Sequence, residues 1–197
     1  MLFRSDDHPW PDLVRTESGE HLEWNYIPTF EHLDAPFEIR PGVVIPTGSY
    51  RFTRYRAEAN TATKRPWVVD FAFRYGGFYE GRLRQFEPSL TLKPSKHLAL
   101  VLQMERDEVS LPQGHFVTQL FSGRLNYNVS PNVTWSNLAQ YDSESRILGF
   151  QSRFRWIVKP GNDLFLVIGR GWFRPQDGDY VPSFDKGSAK LQYTLRI

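Results

Sequence analysis

The sequence predicts an all-β protein: an antiparallel up-and-down meander of about ten strands, forming a transmembrane β-barrel or the C-terminal part of one. Three observations carry this. Apolar and polar residues alternate over long segments, Pro/Gly/Ser/Asn-rich turns separate those segments, and aromatic residues gather at their ends. The chain has 197 residues with 24 Lys+Arg, 22 Asp+Glu, no Cys and 15% aromatics. Its longest strongly apolar run is 164–168, LFLVI, far short of the roughly 20 residues that a spanning helix needs. A net charge of +2 gives no reason to expect nucleic acid as a partner. The lack of Cys removes disulfides, thiolate zinc sites and cysteine nucleophiles together.

Residues 1–20 are polar and lack the apolar run of a secretory signal. Two readings follow: a chain that is never exported, or an internal piece of a longer exported one. Residues 21–197 form the predicted barrel domain. Its strands fall at 21–30, 50–59, 67–75, 82–92, 97–108, 115–129, 133–141, 146–158, 163–173 and 188–197. In 50–59 the apolar phase slips between Phe52 and Tyr55, which predicts a bulge.

The alternation is explicit in the next segments. Trp67, Val69, Phe71, Phe73 and Tyr75 oppose Asp70 and Arg74. Leu98, Leu100, Leu102 and Met104 oppose Gln103 and Glu105. Val117, Phe121, Leu125, Tyr127 and Val129 oppose Ser122, Arg124, Asn126 and Asn128. Leu148, Phe150, Phe154, Trp156 and Val158 oppose Gln151, Arg153 and Arg155. Segment 163–173 departs from the pattern, because Phe165 and Val167 stand opposite Leu164, Leu166 and Ile168 and make both faces apolar. The chain closes on Ala189, Leu191, Tyr193, Leu195 and Ile197, against Lys190, Gln192, Thr194 and Arg196.

Tight turns at 93–96, 130–132 and 159–162 are predicted to share one end of the sheet, and longer polar connections at 106–114, 142–146 and 175–187 the other. A soluble β-sandwich shows the same alternation. Strand length and aromatic placement favour a membrane: Trp67, Tyr127, Trp135 and Trp156 lie near the short turns, and Tyr75, Tyr141, Phe150 and Trp172 near the long loops. In a barrel the polar face lines the lumen. The candidate binding residues are therefore Arg74, Arg124, Arg153 and Arg155 with Asp70 and Glu105, against the plainer reading that they pair and fill the interior.

No catalytic constellation is identifiable. Histidines at 8, 21, 32, 97 and 115 show no ligand spacing, so no metal is expected. Gln176-Asp177-Gly178-Asp179 lacks the later ligands of a calcium loop. No cofactor motif is present, since Gly169-Arg170-Gly171 sits inside a strand.

Residues 37–55 (FEIRPGVVIPTGSYRFTRY) and Gly76-Gly77-Phe78-Tyr79 resemble a bacterial outer-membrane family of unknown function. So does the run from Leu125-Asn126-Tyr127 through Ser130-Pro131-Asn132, the segment 140–145 (QYDSES) and Arg153-Phe154-Arg155-Trp156 to 160–167 (PGNDLFLV). The resemblance covers most of 21–197 and is most specific over 123–172. It implies a C-terminal barrel in the bacterial outer membrane, following a periplasmic domain similar to carbohydrate-binding family 9 modules.

On this reading the chain anchors that domain, or passes or receives its ligands. The implied partners are the lipid bilayer, a carbohydrate or other small ligand, and the N-terminal part of the same protein. The alternative is a soluble β-sandwich that binds a ligand. An enzyme within the barrel ranks third.

Overall fold

The computed structural model describes residues 4–5 and 14–194. Within them lie β1 (Arg4–Ser5), β2 (Val14–Arg15), β3 (His21–Leu33), β4 (Phe37–Arg40), β5 (Val43–Ile45), β6 (Gly48–Asn60) and β7 (Trp67–Phe78). They are followed by β8 (Gly81–Ser95), β9 (Leu98–Leu111), β10 (Gly114–Ser130), β11 (Val133–Asp142), β12 (Ile147–Lys159), β13 (Asn162–Phe173) and β14 (Val181–Gln192). One large sheet runs in the order β1-β3-β6-β7-β8-β9-β10-β11-β12-β13-β14 with β2 beside β3, and β4 and β5 pair separately. The all-β antiparallel meander is thus the architecture observed. Most of the polar segment 1–20, His8 included, and the final residues 195–197 lie outside the described residues.

Two expectations need correction. The bulge expected between Phe52 and Tyr55 is absent: β6 pairs with β3 without a shift from Gly48↔Leu33 to Asn60↔His21. The phase slip instead marks a change of surroundings. Tyr50 and Phe52 are buried on the inner side, whereas Tyr55 is exposed on the outer side beside Trp24 and Tyr26. Register shifts do occur at Asn128/Ser130 and Ile157/Lys159, beside turns, and at Gly171/Trp172.

The expected contrast between short and long connectors is also smaller than expected. Residues 106–111 continue β9, leaving only Pro112-Gln113 as the turn, and β14 begins at Val181, leaving 174–180 as the loop. Polar composition misled here, because backbone pairing tolerates charged side chains wherever a strand face meets water. Finally, the segment 37–45 folds as a hairpin, turning at Pro41-Gly42 with Gly42 at φ 82°.

The chain forms two compact units. Unit 1 comprises Met1–Thr63, Val69–Pro88 and Glu105–Thr118; unit 2 comprises Lys64–Val68, Ser89–Met104 and Gln119–Ile197. Unit 1 holds a small core of Leu33, Ile45, Tyr50 and Phe52, against which Ile39, Tyr79 and Leu111 pack. Ile45, on the hairpin, is the most enclosed of these at 1% exposure. Tyr50 fixes the hairpin's exit by donating its hydroxyl to the Pro46 carbonyl at 2.7 Å.

Unit 2 sorts its side chains by register. One row runs Tyr127↔Trp135↔Phe154↔Leu166↔Ala189 across β10–β14, and the row above it Leu125↔Asn137↔Ser152↔Ile168↔Gly187. These point outward and stay open, as does Trp156 one row below them on the same face: Trp135 is 46% exposed, Trp156 44% and Ile168 62%. No protein layer covers this face among the described residues. A sandwich would have buried it.

Ile45→Ala should lower the stability of the folded chain by about 3 kcal/mol, the usual cost of emptying an enclosed aliphatic site. Denaturant titration followed by tyrosine and tryptophan fluorescence measures it.

Candidate functional site: the inner faces of the two units

In unit 1 the inner face is a set of paired polar groups. Arg74 donates from Nη1 to Gln85 Oε1 at 2.5 Å, and Gln85 Nε2 donates to Glu105 Oε1 at 3.1 Å. Gln85 is itself buried. Asp70 lies opposite Asn60 and Arg74 opposite Arg56, whose Nη1 pairs with Glu58 at 2.7 Å. Nearer the core, the buried Glu31 accepts a hydrogen bond from the Tyr79 hydroxyl at 2.9 Å. Tyr79 sits in the turn after β7. Burial first, and then its bond to Glu31, push its phenol above the usual tyrosine range.

The inner face of unit 2 is different in kind. Its rows read Arg124↔Leu138↔Gln151↔Gly169↔Lys186, then Asn126↔Ser136↔Arg153↔Val167↔Ser188, then Asn128↔Thr134↔Arg155↔Phe165↔Lys190. A concavity of about 1010 Å³ opens on this face, with Gln140, Gln151, Val167, Lys186 and Ser188 among its walls. Glycines keep its floor low. At Gly171 a Cβ would stand 2.3 Å from the Phe184 ring, so the ring can lie flat there only because position 171 has no side chain.

The apolar inner positions of β13 also find a physical account. The Arg155 guanidinium lies 5.4 Å from the Phe165 ring centroid, directly across the ladder, and donates to Asp163 at 2.7 Å. An apolar ring on a polar face is thus capped by a cation.

The six candidate residues therefore separate. Arg74 and Glu105 join one network through Gln85 in unit 1, with Asp70 on the same face. Arg124, Arg153 and Arg155 share the inner face of unit 2. Arg124 and Arg153 are exposed and have no ion-pair partner among the described residues. The sequence reading missed Gln85, in a strand whose alternation is interrupted by Pro88, and Lys186, which lies within the stretch expected to be loop. Each described histidine has a local contact: His21 with Glu23, His32 with Ser49, His97 with the Asn128 carbonyl and His115 with Ser110. No group of three potential metal ligands occurs among the described residues.

No protein-family model and no curated protein matches this sequence. Among solved structures, the chain is similar to a KdgM porin in complex with disordered oligogalacturonate, with a TM-score of 0.40, 10% identity, 90% of this chain covered and 96% of that one. It is likewise similar to a KdgM porin structure with a TM-score of 0.39, 7% identity, and coverage of 90% and 97%. Neither likeness reaches the level of a shared fold, so what those porins bind is not carried over.

Gln85→Leu, close to the original in volume, should cost about 1–3 kcal/mol. It strips Arg74 and Glu105 of a shared partner in a buried setting. Thermal or denaturant unfolding compared with the unaltered chain measures the loss.

Proposed function

We propose that this chain is a membrane-spanning segment of an outer-membrane β-barrel, with its outward face in lipid and its inward face lining a route for small solutes. The observation that carries the reading is the exposed apolar face of unit 2, built on strands of 10–17 residues. Water penalises such a face; hydrocarbon does not.

Its dimensions support the same reading. On β13, Leu164 lies opposite Trp156, and Trp172 follows eight residues later. Eight residues extend about 27 Å along a strand, and a tilt of about 40° shortens this to about 20 Å. That approaches the roughly 25 Å apolar band of such barrels, bordered by aromatics on both sides.

Polar residues on the outward face are few and mostly answered. Arg170 and Asp185 face each other across the ladder at 2.6 Å, one pleat inside Trp172. Ser152 accepts from Trp135 Nε1 at 2.8 Å. The family resemblance adds a periplasmic carbohydrate-binding-like domain, which the barrel would anchor or serve.

The direct test is membrane fractionation of the full-length protein. Recovery in the outer-membrane fraction, released only by detergent, supports the proposal; a monodisperse soluble protein overturns it. Substitutions on the two faces sharpen the test. Ile168→Arg, outward and midway between the aromatic borders, should cost about 2–4 kcal/mol when the chain folds into vesicles. Gln151→Arg, inward, should leave the folding yield close to that of the unaltered chain.

A further inference from the structure

We infer that the inner face of unit 2 binds small organic polyanions. The inference deepens the channel reading and rests on it for the role of this face, while the binding site itself stands on separate observations.

The first is charge. Arg124, Arg153, Arg155, Lys186 and Lys190 all fall on the inner rows of β10, β12 and β14. The acidic groups on the inner rows of β10–β14 are Asp163 and Asp142, and both are occupied. Asp163 holds Arg155 at 2.7 Å. Asp142 accepts from the Glu144 amide at 2.9 Å, the Ser145 amide at 3.4 Å and the Ser145 hydroxyl at 2.8 Å, and so serves its turn. The segments Lys64–Val68 and Ser89–Met104 contain no Asp or Glu, and the unit's other carboxylates, Glu144, Asp177 and Asp179, lie in turns between strands and not on the inner rows. Asp185 faces outward, paired with Arg170. Unit 2 therefore presents an inner wall whose cations outnumber the carboxylates available to neutralise them.

The second is geometry. The cations occupy successive inner rows on alternate strands, which places neighbouring ones roughly 7–12 Å apart at the backbone, while β10 to β14 spans about 19 Å. Long, flexible side chains at that spacing can converge on one molecule with several carboxylates, while Gln140, Gln151 and Ser188 offer hydrogen bonds to its uncharged oxygens. The charged end of Lys186 is held over the Phe184 ring, its Nζ 5.6 Å from the ring centroid. Of the five cations Lys186 lines the concavity of about 1010 Å³, together with Asp142 and Asp185; the arginines stand on the same face beside it, and the space suits a ligand of small organic size. Partly desolvated clefts lined by one sign of charge concentrate solutes of the opposite sign.

Citrate binding to the full chain in detergent, measured by titration calorimetry with sucrose as the uncharged comparison, tests this. Citrate should bind at least about tenfold more tightly than sucrose, and raising the salt to about 0.5 M should weaken it about tenfold. Combined Arg124→Gln, Arg153→Gln and Lys186→Gln should also weaken it about tenfold. Arg153→Gln alone, a single change on an exposed side chain, should weaken it about threefold. Lys64→Gln, in the turn before β7, should leave it unchanged.

Equal affinity for citrate and sucrose, or indifference of citrate binding to both salt and the arginine substitutions, overturns the inference. A chain that conducts ions in planar bilayers but fails to prefer citrate keeps the channel reading and loses the anion site. A soluble chain that prefers citrate does the reverse.

Discussion

A paired β-strand turns every second side chain the same way, and its backbone donors and acceptors are used up by its neighbours. In a meander this has two effects at once. Polar backbone is satisfied within the sheet, so the sheet can tolerate surroundings without water. Small differences in sequence period become large differences between faces. A shift of one residue in any ladder of unit 2 would bring Arg153 or Lys186 to the row now held by Ile168, and Ile168 to the floor of the concavity. The unbroken pairing of β11 with β12, from Val133↔Trp156 to Asp142↔Ile147, holds both faces in place.

The two units spend their inner faces differently. In unit 1 most inner polar groups answer one another, with one buried Asp107 carboxylate oxygen left without a hydrogen bond among the described residues, and the hairpin of β4 and β5 closes an apolar cluster around Ile45. Such an arrangement stabilises, and it leaves few groups open to a ligand. Unit 2 has no comparable buried cluster among its described residues. Glycine at 149 and 169 leaves its floor open, and on the same face Arg124 and Arg153 have no ion-pair partner among the described residues. Cost in stability and availability for binding go together here, since unanswered charges that reach water are cheap to keep and ready to be used.

Much of the fold was legible because one rule, the two-residue period, governs most of the chain. The strands at 67–75, 133–141 and 163–173 lie inside β7, β11 and β13 almost end to end. Failures occur where that rule says nothing about burial. Tyr50 and Tyr55 look like a slipped register, yet the ladder is continuous and the two rings serve opposite faces. Residues 181–187 read as loop because Pro182, Asp185, Lys186 and Gly187 are poor strand formers, and pairing with β13 overrode that preference. The candidate site was legible to the same extent. The face of Arg124, Arg153 and Arg155 followed from alternation alone. The partnership of Arg74 and Glu105 through Gln85 depends on contacts between strands, which a single sequence does not state.

The outward rows of unit 2 exist only once the ladders have formed. Along the chain, Leu166 is two covalent steps from Ile168, but Phe154 and Ala189 reach the same row only by hydrogen bonding. Before pairing, the polypeptide is an ordinary water-compatible polymer, with a mean hydropathy of −0.48 and no apolar stretch longer than 164–168. A sieve that reads only local greasiness along the chain would find little in it to hold. The apolar face is made by the pairing of the strands and does not precede it.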